Sequence, residues 1–177
     1  MDKTWKAVIW HQFGATIQML ENAVRACPDE FWQERLYEER EIQPEFAEFW
    51  YVAYHCLFWL DFYLSDSIEG FAPPAPYTLS EFDPAGLLPD RVYTKDELLS
   101  YLEYARDKCR TRIETLIDEM APQRCRLDWP EMSIAELLLY NMRHVQEHAA
   151  QLSLMLGQRV GSAPGWVSTE KSKLSDE

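Results

Sequence analysis

The stretch Ser133-Ile-Ala-Glu-Leu-Leu-Leu-Tyr-Asn-Met-Arg-His-Val-Gln-Glu-His-Ala-Ala-Gln-Leu-Ser-Leu-Met-Leu156 decides the fold. Ser133 followed by Glu136 is a capping box, which predicts a helix starting there. Gly157 is the predicted stop, because glycine takes the left-handed conformation that ends helices. Ile134, Leu138, Asn141, Val145, Leu152 and Met155 recur at helical spacing and mark a buried stripe. His144 and His148 are four residues apart, so they stand one above the other, close to that stripe. Imidazole nitrogens withdrawn from water need partners. A metal ion shared by both rings is one such partner.

Upstream, three more helices are predicted. The first spans Trp5 to Ala26, with Ile9, Phe13, Thr16, Leu20 and Ala23 on its seam and Pro28 just past its end. His11 falls on the opposite side with Gln18 and Asn22 and reads as a surface histidine. Pro28 to Gln43 is a connector rich in Glu and Arg, with a short helical turn between Asp29 and Leu36. It is long for a loop, and long loops often border a site. Pro44 suits the first turn of the second helix, which runs to about Glu69. That helix is apolar almost all round, from Phe46 through Trp50, Leu57 and Trp59 to Leu64, so burial on several sides is expected. It is either the central helix of a bundle or a contact to a second subunit. Gly70 to Tyr93 holds five prolines and two glycines, has no helical period and reads as a long crossing connection. Thr94 and Glu97 form another capping box, opening a third helix to about Met120 with Leu98, Leu102, Ala105, Cys109 and Leu116 on its seam. A short loop through Asp128, Trp129 and Pro130 leads to the last helix.

The expected fold is therefore all-α: a four-helix bundle of up-and-down type with long connections between helices 1 and 2 and between helices 2 and 3. One domain is expected over residues 1–166. Residues 167–177 read as a polar tail that frays, and Trp166 as an aromatic lid folding back.

The chain has 177 residues, enough for one domain with a sizeable core. A net charge of −13 disfavours nucleic acid and anionic membrane surfaces as partners. The densest basic group, Arg106, Lys108, Arg110 and Arg112, spreads over several helix faces and reads as solvated surface. No apolar run is long enough to span a membrane, and the N-terminus lacks a signal-peptide pattern. Cys27, Cys56, Cys109 and Cys125 form no C-x-x-C pair. They are expected as reduced core thiols in a cytoplasmic protein.

With His11 set aside, three histidines remain on inward faces: His55 on helix 2, and His144 and His148 on helix 4. Zinc and similar ions take three imidazoles readily, and a catalytic site keeps a further position open. The Glu-x-x-His pattern of di-iron bundles is missing, as are H-E-x-x-H and G-x-S-x-G. Cys56 adjoins His55, but adjacent helical residues point about 100° apart and do not pair. Hydrogen bonding within the core, without metal, is the other reading of these rings.

Four further residues bear on the site. Glu48 stands two turns before His55 on the same side. It reads as an acceptor for an imidazole N–H, as a proton acceptor near the ion, or as a carboxylate facing the helix dipole. Gln151 lines the site or only its rim. Asn141 bonds an imidazole or bridges helices. Asp61 lies on another side of helix 2 and is not expected as a ligand.

This arrangement resembles the DinB/YfiT-like family of bacterial four-helix bundles. The resemblance is carried by Trp50-Tyr-Val-Ala-Tyr-His-Cys-Leu-Phe-Trp-Leu60, by Arg143-His-Val-Gln-Glu-His-Ala-Ala-Gln-Leu152, and by Asp128-Trp-Pro-Glu-Met-Ser-Ile-Ala-Glu-Leu-Leu138 leading into the last helix. It covers about Trp5 to Trp166. It implies that His55, His144 and His148 are metal ligands, that the ion is divalent (zinc or nickel foremost) and that the protein is a homodimer. It also implies a small-molecule substrate: a thiol-dependent S-transferase or a hydrolase acting on a small electrophile, with a low-molecular-weight thiol as possible cosubstrate. The alternative is a non-catalytic stress or binding protein with a structural metal or a metal-free histidine core.

Overall fold

A computed structural model describes residues 3–38, 43–65, 67–127 and 131–174. The expected loop at Asp128, Trp129 and Pro130 lies outside them. Four helices carry the fold: α1 (Lys3–Ala26), α2 (Phe49–Ser65), α3 (Lys95–Thr115) and α4 (Ile134–Arg159). Among the described residues there is no strand, only isolated bridges in the connectors. The all-α four-helix bundle is the fold expected from sequence. Its arrangement departs from a simple up-and-down order: α1 and α2 each pack against α3 and α4, so consecutive helices α1 and α2 face each other across a diagonal. The long connector after α1 makes that crossing.

Both capping boxes form. Thr94 and Ser133 each accept from the backbone N–H three residues on, while Glu97 and Glu136 reach back to the cap N–H. The predicted buried stripe of α4 is buried throughout. Its end differs. Gly157 stays helical and Gly161, at φ +78°, takes the left-handed position after Val160. α3 stops at Thr115, short of Met120, because Leu116 turns extended and the chain continues through turns to Ala121.

The start of α2 is corrected as well. Pro44–Ala47 forms a separate 3-10 turn, and Glu48 is extended. The connector explains this. The N–H of Phe49 donates to the Glu34 carbonyl and that of Trp50 to the Trp32 carbonyl, both at 3.0 Å. Helix-start donors that would otherwise lack partners are thus paired outside the helix. Every residue of α2 except His55, Trp59 and Ser65 is buried. Both long connections contribute: Trp32 packs on Phe49, Phe71 and Phe82 on Phe58, and Tyr77 and Tyr93 on Tyr54. A fully buried ring contributes about 1.5–3 kcal/mol, and the half-buried Phe71 and Phe82 less. The apolar character of α2 is satisfied inside one chain.

The expected solvated basic group is instead tied into the fold. Lys108 donates to the carboxylate of Asp61, which is fully buried and also accepts from Tyr101 Oη at 2.9 Å. Arg106 bridges Glu21 and Glu170. The four cysteines are buried thiols, matching their reading as core fillers.

Residues 168–174 do not fray as expected of the tail; Ser175, Asp176 and Glu177 lie outside the described residues. Glu170 N–H donates to the His11 carbonyl at 2.8 Å, and Trp10 Nε1 donates to the Ser172 carbonyl at 2.9 Å. Arg110 binds the Lys173 carbonyl, and Leu174 is buried. Gly14 permits the approach: a Cβ there would meet Cβ and Cγ of Glu170 at 2.8 Å. Glycine within a helix costs about 1 kcal/mol relative to alanine, and here the docked strap uses the space. Trp166 is 72% exposed and forms no lid.

Candidate metal centre

α2 and α4 pack face to face and bring three imidazoles together. One nitrogen from each of His55, His144 and His148 lies within 4.8 Å of the others, so the cluster could hold a metal ion. The Nε2 atoms of His144 and His148 are 3.1 Å apart. Two ligand nitrogens about 2.0–2.1 Å from a tetrahedral zinc ion stand about 3.3 Å apart, close to this spacing. His11 lies on α1, half-buried and outside the cluster.

Hydrogen bonds behind the rings set which nitrogens face inward. His55 Nδ1 lies 2.7 Å from Glu81 Oε2. A carboxylate only accepts, so Nδ1 carries the proton and Nε2 keeps its lone pair. His148 Nδ1 meets Gln151 Oε1 at 2.8 Å, with the same consequence. Gln151 thus orients a ring rather than marking a rim. His144 Nδ1 is buried without a hydrogen-bond partner. The donor set therefore fits a divalent ion, with two of the three rings held through their outer nitrogens.

Glu81 is the residue that sequence reasoning missed. It comes from the 3-10 turn Ser80–Phe82 in the proline-rich connection. Its side chain is only 4% exposed. It accepts from His55, from Trp59 Nε1 at 2.8 Å and from the Tyr51 hydroxyl. Burial alone would raise its pKa, but the hydrogen bonds from His55, Tyr51 and Trp59 and the attraction of His55 leave it lowered. Its one signal in the sequence is a carboxylate in a long aperiodic connection, one of three there beside Asp83 and Asp90. Glu48, weighed for this place, is held elsewhere: with the chain extended there, its Oε2 accepts from Trp50 Nε1 at 2.6 Å. Asn141 bridges helices, its Nδ2 donating to the Leu60 carbonyl at 3.0 Å. Asp61 is taken up by Lys108 and Tyr101. The Cys56 thiol is wholly buried, which pushes its pKa up and leaves it inert.

Exchanging Glu81 for glutamine is expected to lower zinc affinity about 10- to 100-fold, the usual effect of losing a carboxylate that orients a ligand histidine. Competition against a chromophoric chelator reads it. Unchanged affinity would remove Glu81 from the site.

Burial, then repulsion from His148 and His55, pushes His144 down to about 3. Burial and then His55 push His148 down too. Both rings are therefore neutral near pH 7, as ligands must be. A lowered histidine pKa also fixes the pH response of the metal-free protein. Below the unfolded value of 6.5 the unfolded chain takes the proton first, so stability falls as pH drops from 6.5 toward 3. It is fully present above 6.5. One such histidine gives a slope of up to about 1.4 kcal/mol per pH unit. Melting with chelator present should be flat from pH 8 to 6.5 and fall below, and His144→Leu should flatten the fall between pH 6.5 and 5.

The cluster opens onto a pocket of about 380 Å³. His55 and His148 stand in its wall with Glu81.

A four-helix bundle with three inward imidazoles on two facing helices is thus the class of protein that fold and site define. The chain belongs to the DinB superfamily, whose family model matches residues 12–152. The match takes in all three histidines and Glu81, and stops before the docked strap. No curated protein and no solved structure matches the chain.

Proposed function

We propose that His55, His144 and His148 bind one divalent ion, zinc or nickel foremost, and that the protein is a metal-dependent enzyme acting on a small molecule. The reaction class is thiol-dependent S-transfer or hydrolysis of a small electrophile. The observation that carries this reading is the position of the cluster: three ligand nitrogens within 4.8 Å of one another, two of the rings in the wall of a pocket. A purely structural ion is normally closed off by four protein ligands, whereas three leave a position for a reactant. When bound, the ion supplies Lewis acidity, lowering the pKa of a thiol or water at the open position. Glu81 and Gln151 keep two imidazoles oriented for it.

The alternative, a non-catalytic stress or binding protein with a structural metal or a metal-free histidine core, is motivated by the apolar surface of α2. That surface is covered within one chain, which weakens its motive. A homodimer is part of the proposal on family resemblance, and sedimentation tests it.

Elemental analysis of protein purified without a metal-affinity tag tests the site; about one divalent ion per chain is expected. Metal-loaded and chelated samples are then compared on electrophiles with common thiols and on activated esters. Protein that takes up neither zinc nor nickel ends the metal reading. Loaded protein inert toward every pair leaves the ion structural.

A further inference from the structure

The pocket in front of the histidines has its own chemistry. Its walls include the rings of Phe46, Tyr51 and Trp59, with Leu87 closing an apolar side. Two carboxylates line it, Glu81 and Asp83, and among the described residues lining it there is no lysine or arginine. The negative charge at Glu81 is fixed in place by three donors and nearly removed from solvent, so water screens it poorly. Asp83 is held by its own turn, Oδ1 accepting from the Ala85 N–H at 2.8 Å. Aromatic faces attract cations through their quadrupole, and carboxylates in the same cleft add to that attraction. A carboxylate or phosphate entering the metal-free pocket would meet like charge, and among the described lining residues its basic partners are the imidazoles of His55 and His148 alone. At about 380 Å³ the pocket sits near the small end of ligand sites, which span about 300–1,000 Å³.

We infer that this pocket selects a small ligand with an aromatic or apolar body and a protonated amine, and rejects carboxylate-bearing ligands of the same size. The apolar body lies along Phe46, Tyr51 and Trp59, and the ammonium is drawn to the side of Asp83. The inference rests on the proposed function only in making this pocket the substrate site. It narrows that function: an amine-bearing electrophile or thiol is favoured for the part of the ligand that lies in the pocket away from the ion.

The test uses three probes of similar shape: 2-phenylethylamine, 2-phenylethanol and 3-phenylpropionate. Their dissociation constants are measured by saturation-transfer NMR on the full chain stripped of metal, where no ion can bind the carboxylate. The amine should bind at least tenfold tighter than the carboxylate, with the alcohol between. Asp83→Asn should cut that ratio below threefold. Glu103→Gln, an exposed charge change on α3, should leave it unchanged, which separates pocket recognition from the protein's overall negative charge. A carboxylate that binds as well as the amine overturns the inference, as does a preference that survives Asp83→Asn or vanishes with Glu103→Gln. Metal content of separate samples is read by elemental analysis. An amine preference in protein that refuses zinc and nickel supports the pocket inference while ending the metal reading. Full metal uptake without any preference does the reverse.

Discussion

Replacing His148 by alanine is expected to weaken zinc binding by more than 100-fold and to take bound metal below detection after dialysis. Losing a residue that merely orients a ligand histidine costs about 10- to 100-fold, so losing the ligand itself costs more. The remaining pair, His55 and His144, lies on different helices and supplies only two imidazoles. His148 is also the ring whose outer nitrogen is held by Gln151, so its Nε2 is the best fixed on α4. The variant should keep its fold, because His148 is half-buried and the stripe formed by Val145, Ala149 and Leu152 is untouched. Calorimetric titration with zinc, beside a melting curve of metal-free protein, gives both readings. Wild-type affinity in a folded His148→Ala protein would mean that the three histidines are not the ligand set.

The largest loss of stability is expected away from the site, at Asp61. Its carboxylate is fully buried and joins α2 to α3 through Lys108 and Tyr101. Removing one partner of a buried pair is costly because the other charge stays behind, by about 3–5 kcal/mol. Lys108 is partly exposed and also bonds Ser65 Oγ at 2.6 Å, so it can turn toward water and the loss lies near the lower end. The Tyr101 hydroxyl has no such escape, and an unpaired buried hydroxyl costs about 1–3 kcal/mol. Asp61→Ala should therefore destabilise by about 3–4 kcal/mol, lowering the melting temperature by about 6–16 °C for a domain of this size. Urea unfolding measures it. Adding Lys108→Met and Tyr101→Phe should recover much of the loss, since replacing all partners removes the orphaned groups. A single variant within 1 kcal/mol of wild type would show that this cluster is not what fastens α2 to α3.

Which residues make helices was legible because the signals are local. The capping boxes at Thr94/Glu97 and Ser133/Glu136 need only four consecutive residues, and both form. The α4 stripe follows from the period of one helix. His144 and His148 share a face for the same reason, and His55 could be added because it too lies on an inward face.

The errors have one cause. Where α2 starts depends on carbonyls of Trp32 and Glu34, more than a dozen residues away in sequence, and with that start moved, Glu48 left the face of His55. The strap after α4 is polar, and nothing local marks it as docked; it is held by partners on α1 and α3, with Gly14 opening the space. Lys108 looked like solvated surface because its partner, Asp61, is on another helix.

The sequence by itself determined four helices, three amphipathic and one apolar almost all round, the two caps, the buried thiols and the inward-facing histidines, because each follows from spacing along one element. Only the tertiary structure decided that His55 meets His144 and His148, that Glu81 rather than Glu48 stands behind His55, and that the pocket in front of them is aromatic and acidic. Those facts depend on how separate helices and a connection without periodicity pack together. Packing is fixed by the sum of many distant contacts, which no single stretch of sequence carries.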